Sequence, residues 1–326
     1  MSLVLKTEPS RILITGATGQ IGSELVPELS QEYGHDNVVA AGYKKSPDQE
    51  IRQDAIYEIL DVTDKNAILK IVDQYDVNII YHLAGILSAQ GEKNPEQAWQ
   101  VNVTGLHNIL DVAKEHEIQR LFWPSSIAVF GTGVPRKNTP QNVPLVPNTI
   151  YGVSKVAGEL LCNYYFHKYN LDVRSIRYPG IISNVTPPGG GTTDYAVEIF
   201  YEAIRKKHYT CFVRKDTILP MLYMPDGIRA GLDLMRADVS RIKVRTSYNL
   251  AGLSFRVEQL ANEIKKHIPD FTIDYQPDFR QEIADSWPMS VDDTAARKDW
   301  NWKPEYDLAT MTKDMIEKLS RRLLPG

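Results

Sequence analysis

Two side chains at helical spacing open the chemistry of this sequence. Tyr151 and Lys155 stand at i and i+4 in Tyr151-Gly152-Val153-Ser154-Lys155, so they share one helix face. A phenol titrates near pH 10. To serve as a base near neutrality it must come down by roughly 3 pH units, about 4 kcal/mol. A lysine ammonium beside it supplies positive potential. Ser126, in Pro124-Ser125-Ser126-Ile127, lies 25 positions before Tyr151 and ends a short apolar run. A hydroxyl there can polarise a reacting oxygen. Taken alone, Tyr-x3-Lys is an ordinary exposed helix face. Its meaning depends on the elements around it.

Those elements begin with Gly16-Ala17-Thr18-Gly19-Gln20-Ile21-Gly22, set between a strand-like Arg11–Thr15 and a helical pattern from Gln20 to Tyr33. The first glycine permits a tight turn, the second a close approach to a pyrophosphate, and the third close helix–sheet packing. The helix N-terminus then faces the phosphate charge. Gly16, Thr18, Gly19, Gln20, Ile21 and Gly22 are therefore cofactor candidates. Asp61-Val62, ending the third strand, is placed to accept from an adenine amino group, while Thr63 or Asp64 suits a helix cap better. Leu83-Ala84-Gly85 ends the fourth strand with small residues. Asn102 is a polar side chain in a helix that the pattern runs from Pro95 to His116. Pro124, Tyr178 and Pro179 stand at strand ends, where ligands bind in such sheets.

The second strand lacks the acidic residue that usually holds the ribose of NAD. It carries Gly42-Tyr43-Lys44-Lys45 instead, so NADP stands beside NAD as a possible cofactor.

Continuous apolar runs near 11–15, 37–41, 57–61, 78–83, 120–123 and 172–177 alternate with helical patterns. This predicts an α/β fold, a doubly wound parallel sheet of Rossmann type, with a smaller C-terminal substrate-capping region. The expected division is a dinucleotide-binding domain over 1–179, with a return near 245–268, and a mainly substrate-binding region over 180–326. Helices are expected near 192–206, 225–236, 256–268 and 307–322. The proline-rich stretch from Pro135 to Pro147 reads as a rigid surface connection.

The 326 residues are 43% hydrophobic and 24% charged, with a formal net charge of −4. That balance argues against nucleic-acid and membrane-surface binding. Cys162 and Cys211 are too few for a disulfide framework. His35, His82, His107, His116, His167, His208 and His267 are scattered, so no metal is expected. The apolar run Leu3–Leu5 is too short for a signal peptide, and no span-length apolar stretch is visible, so a cytoplasmic protein is expected.

The glycine pattern with Ser126, Tyr151 and Lys155 resembles the extended branch of the short-chain dehydrogenase/reductase superfamily. More selective segments are His82–Ala89, Glu92–Pro95, Phe122–Ser126, Arg177–Gly180, Gly189–Ile199, Leu219–Met221 and Ile283–Pro288. These are similar to the short-chain type L-threonine 3-dehydrogenases, from about Arg11 to Leu323. The resemblance implies NAD-linked oxidation of the threonine C3 hydroxyl to L-2-amino-3-oxobutanoate, in threonine catabolism. Tyr151 would be the base, Lys155 would lower its pKa and Ser126 would orient the hydroxyl. The resemblance also implies a homodimer built through the helices near 95–116 and 151–169.

Threonine needs a carboxylate clamp and an ammonium site. Gly189-Gly190-Gly191-Thr192-Thr193 offers backbone N–H groups and two hydroxyls, suited to an anion nest. Ser88 and Trp287 are further substrate candidates, while Asp194 reads as a helix-start carboxylate. Two other readings stay open: a sugar-nucleotide epimerase or dehydratase on the same scaffold, and a non-catalytic cofactor-sensing protein.

Overall fold

The computed structural model describes residues 10–43, 53–189 and 191–324. The N-terminal run Leu3–Leu5, Lys44, Lys45 and Gly190 lie outside the described residues.

The first half alternates strands and helices in chain order: β1 (Ile12–Thr15), α1 (Gly22–Tyr33), β2 (Val38–Gly42), β3 (Ile56–Ile59), α2 (Lys65–Tyr75) and β4 (Ile79–His82). Then come α3 (Ser88–Lys93), α4 (Pro95–Trp99), α5 (Gly105–Glu115), β5 (Arg120–Ser126), α6 (Ile150–Tyr169) and β6 (Val173–Tyr178). The strands assemble in the order β6-β5-β4-β1-β2-β3, every neighbouring pair parallel. Successive residues of β1 serve opposite faces. Ile12 and Ile14 join Leu25, Val26 and Leu29 of α1, while Leu13 joins Ile68, Leu106 and Ile109 of α2 and α5. Burial on both faces explains why the strands read as unbroken apolar runs.

The helix expected over Pro95–His116 is not uniform. A π-helical turn, Gln100–Thr104, joins α4 to α5 and carries Asn102 inward. Helix α6 begins where Thr149 Oγ1 accepts from Gly152 N at 3.0 Å, and it stops at Asn170 in the left-handed region, φ 58°.

After β6 the chain builds β7 (Gly180–Ile182), α7 (Tyr195–Lys206), β8 (His208–Cys211), β9 (Ile218–Tyr223) and α8 (Met224–Arg236). It continues through β10 (Tyr248–Asn249), β11 (Leu253–Arg256), α9 (Val257–His267), β12 (Thr272–Tyr275), α10 (Arg280–Ser286), α11 (Thr294–Trp300) and α12 (Leu308–Leu323). The return strand is β10, which pairs parallel with β6 as the seventh strand of the main sheet.

The expected division needs redrawing on both sides. Helix α9 packs through Val257, Leu260 and Ile264 with Phe200, Met311 and Met315 in the capping core, so the return ends before it. Helix α8, expected in the cap, packs Ile228, Leu232 and Met235 against Phe122, Ile176 and Tyr178 of the main sheet, and Trp300 of α11 joins them. Apolar periodicity reveals a buried face but does not say which core it enters.

Candidate active site

The turn after β1 is held by contact with the end of β4. Gly16 has φ +69°, and a Cβ on it would lie 2.6 Å from Ala84 N. No side chain caps the start of α1, whose N-cap is Ile21. Ser23 N and Glu24 N donate to Gly19 O at 3.0 Å and Ile21 O at 3.2 Å, and the positive end of the helix suits the charge of a dinucleotide pyrophosphate. Gly16, Thr18, Gly19, Asp61, Val62, Leu83, Ala84 and Gly85 line one continuous cleft with Tyr43. Asp61 Oδ1 accepts from Thr63 N at 2.9 Å and from Thr63 Oγ1 at 2.7 Å. Asp64, not Thr63, caps α2.

Asn102 does not line this cleft. Its amide donates to Ile86 O at 3.0 Å and to Ser154 Oγ at 3.2 Å, and its oxygen accepts from Ile86 N at 2.7 Å. Ser154 Oγ in turn donates to Tyr151 O at 2.7 Å. Asn102 thus braces the segment after β4 against the first turn of α6.

The cleft runs on into a second cavity. Gly19, Gln20, Ile21, Gly22, Ser88, Pro124, Ser126, Tyr151, Lys155, Tyr178, Pro179, Thr192, Thr193, Asp194 and Trp287 all line it. Ser126 sits at the end of β5, where its Oγ accepts from Ala128 N at 3.2 Å. Burial pushes the Tyr151 phenol up to about 12, against a hydrogen bond with Ser126 that lowers it. Burial pushes the Lys155 ammonium down to about 8. Lys155 Nζ donates to Pro124 O at 2.6 Å and stands 4.5 Å from the Trp123 ring centre and 5.5 Å from that of Tyr151. The chain's own groups thus leave Tyr151 above its ordinary value, with desolvation the larger cause and the Ser126 hydrogen bond working against it.

Beneath them His82 shares a 2.7 Å hydrogen bond between its Nδ1 and Thr15 Oγ1. Burial, helped by the charge on Lys155, pushes its imidazole down to about 3, so it stays neutral.

The glycine-rich segment departs from the expected anion nest. Gly189 N and Gly191 N donate to Asp194 Oδ2 at 2.7 and 2.8 Å, so the chain's own carboxylate fills it. Asp194 stands at the start of α7, as expected, but its side chain turns back to hold the loop and makes no helix-capping hydrogen bond. Thr192 and Trp287 line the cavity, and each carries one polar side-chain atom, Thr192 Oγ1 and Trp287 Nε1. Both are buried and without a partner. Buried polar groups rarely stay unpaired, and these two belong to residues that line the cavity.

Sequence reasoning missed what holds Trp287. Arg136 Nε donates to Trp287 O at 3.3 Å, and Arg136 O accepts from Met289 N at 2.6 Å. Thr139 bridges Val291 in parallel fashion. The Pro135–Pro147 stretch is therefore a support for a residue that lines the cavity rather than a plain surface connection. These contacts span about half the chain, and no local pattern announces them.

Among the described residues no three His, Cys, Asp or Glu side chains gather to hold a metal, and no helix is long and apolar enough to cross a membrane.

Residues 12–251 match the model of the NAD dependent epimerase/dehydratase family. An uncharacterised epimerase/dehydratase of Staphylococcus haemolyticus is 49% identical over 313 residues, covering 96% of this chain and 98% of that protein. Among solved structures, an L-threonine dehydrogenase from Clostridium difficile is 51% identical with a TM-score of 0.94, covering 96% of this chain and 98% of that one. A monomeric L-threonine 3-dehydrogenase from a metagenome is 49% identical with a TM-score of 0.91, covering 95% and 99%.

Proposed function

Since the chain belongs to the NAD dependent epimerase/dehydratase family, and is a close structural homologue of L-threonine 3-dehydrogenases in the extended short-chain branch, we propose that it oxidises the C3 hydroxyl of L-threonine with NAD. The product is L-2-amino-3-oxobutanoate.

The observation that carries this reading is the single cavity lined by Ser126, Tyr151, Lys155, Thr192 and Trp287. An indole N–H and a hydroxyl suit the carboxylate of a small amino acid. Ser126 orients the substrate hydroxyl, and Tyr151 accepts its proton. The positive charge of Lys155 favours the phenolate that this step requires. When bound, nicotinamide supplies the hydride acceptor. The Ser126 hydrogen bond works against the burial that holds Tyr151 near 12.

The protein works in the cytoplasm as a homodimer. The supporting observation is an apolar stripe on α6, where Val153, Leu160 and Tyr164 are exposed, with Trp99 of α4 exposed as well. A relative described as monomeric makes solution mass the direct check.

The test is reduced-nicotinamide absorbance with L-threonine and NAD, in parallel with NADP and with a UDP-hexose as substrate. Turnover of threonine by the native enzyme, abolished in Tyr151→Phe while NAD still binds, is the expected result. Folded protein that binds NAD and leaves threonine untouched refutes the assignment.

A further inference from the structure

One buried ion pair beside the site has no part in the chemistry above. Glu159 and Arg177 are exposed by only 1% and 4%. Glu159 Oε1 accepts from Ser125 Oγ at 2.7 Å and from Arg177 Nε at 2.8 Å, and Oε2 accepts from Arg177 Nη2 at 2.8 Å. Arg177 Nη1 donates to Gln141 O at 2.9 Å and to Asn249 Oδ1 at 3.0 Å. One carboxylate on α6 therefore gathers β5, β6, β10 and the loop before α6.

Ser125 has functional residues on both sides. Pro124, before it, offers the carbonyl that holds Lys155 Nζ, and Ser126 follows it. Glu159 itself stands one helical turn beyond Lys155. Stability alone is a poor account of such a pair, because well-packed apolar replacements of buried ion pairs are often as stable or more so. The geometry offers a better one.

We propose that the Glu159–Arg177 pair is a positioning unit for the oxidation: it sets Ser126 against Tyr151 and Lys155, and keeps an anion one turn from the Lys155 ammonium. The inference rests on the reading of those three residues as catalytic. The titratable groups around Lys155 are Tyr151, Glu159 and Cys162 on α6, His82 at the end of β4 and Arg177 on β6. His82 is neutral, held at about 3, and burial pushes the Cys162 thiol up, so it is neutral too. The Glu159 carboxylate is the anion of this set, and it raises the Lys155 pKa against the lowering by burial.

Three variants separate position from charge: Ser125→Ala, Glu159→Asp and Glu159→Gln. Each is assayed with threonine and NAD for kcat, for KM of both ligands, for the pH profile and for thermal unfolding. Ser125→Ala is expected to lose kcat about tenfold with KM for NAD unchanged, a misplacement effect. Glu159→Asp keeps the charge, so its alkaline limb stays where the native enzyme has it while kcat falls. Glu159→Gln keeps the shape, and its alkaline limb moves to lower pH. If Glu159→Gln fails to fold, the other two variants decide. Unchanged kcat in Ser125→Ala and Glu159→Asp overturns the inference. So does an alkaline limb in folded Glu159→Gln that superimposes on the native one. A native enzyme inactive on threonine overturns the proposed function and this inference together, whereas an active native enzyme with indifferent variants overturns this inference alone.

Discussion

Gly158 and Trp123 meet with no room for a side chain between helix α6 and strand β5. A Cβ at Gly158 would lie within 2.5 Å of the indole Cζ2. The Lys155 ammonium stands over the same indole ring, 4.5 Å from its centre. The packing of a helix on a sheet and the placement of a catalytic charge therefore share one aromatic surface. Gly158→Ala is expected to destabilise the fold by about 1–3 kcal/mol, the usual cost of overpacking. It should also lower kcat more than it changes KM for NAD, because the ring that carries Lys155 must shift. Thermal unfolding and steady-state kinetics together check this, and native-like values in both would refute it.

Lys155 also links the site to stability. Its pKa is about 8 in the folded chain against an ordinary 10.5, so between those values the unfolded chain binds more protons and stability rises with pH. Below that window the buried ammonium is a standing cost of up to about 3 kcal/mol. Lys155→Met is expected to be catalytically dead yet to unfold at a higher temperature near neutral pH. Its advantage should shrink as pH climbs through the window. Denaturation curves across the range test the sign, and a constant difference between the two proteins would contradict it.

Asp194 holds the substrate loop by two charge-assisted hydrogen bonds, from Gly189 and Gly191. Asp194→Ala should release Thr192 and Thr193 from their present geometry. KM for threonine is expected to rise by about tenfold or more, since each such bond is worth about 1.5–3 kcal/mol. KM for NAD should hold, because the glycine turn after β1 is untouched. Equal changes in both constants would mean that the loop is not a substrate element.

Gly42 ends β2 where a ribose-binding carboxylate is usual. A Cβ there would lie 2.5 Å from the Tyr57 hydroxyl and 3.3 Å from the Thr18 side chain. Gly42→Asp alone is therefore expected to weaken NAD binding rather than strengthen it. Gly42→Asp with Tyr57→Phe removes the hydroxyl in the way and should recover affinity for NAD over NADP. Cofactor titrations of the three proteins decide. Tight NAD binding by the single variant would show that Tyr57 yields easily.

The residues legible in the sequence are those whose geometry is set by neighbours in the chain. The glycine turn between β1 and α1 is one case, and the spacing of Tyr151 and Lys155 on α6 is another. The expected return near 245–268 contains β10, Tyr248–Asn249, which pairs with β6. What escaped depends on distant contacts or on burial. Arg136 reaches Trp287 across 151 positions. Asp194 fills the nest that glycine spacing had offered to a substrate, because backbone donors in sequence carry no sign of who accepts from them. Asn102 proved to brace Ser154 and Ile86 instead of lining the cleft. Burial is hidden for a related reason: a lysine four positions from Tyr151 is visible in sequence, while the desolvation that raises the phenol is not.

The pairing of β10 with β6 bears on how such a protein can change. Ile176 and Arg177 stand in register with Tyr248 and Asn249, so the chain leaves the main sheet just after β6 and rejoins it beside the same strand. Between them the chain runs out through β7, the loop that carries Thr192, α7, β8 and β9, and α8 brings it back against the main sheet before β10. Lengthening a closed loop is cheap in entropy, about 0.6 kcal/mol for each doubling. Insertions and deletions there can reshape what enters the cavity while the strands that present Ser126 and the glycine turn stay fixed. Selectivity can therefore drift at one rate and hydride chemistry at another within a single continuous polypeptide.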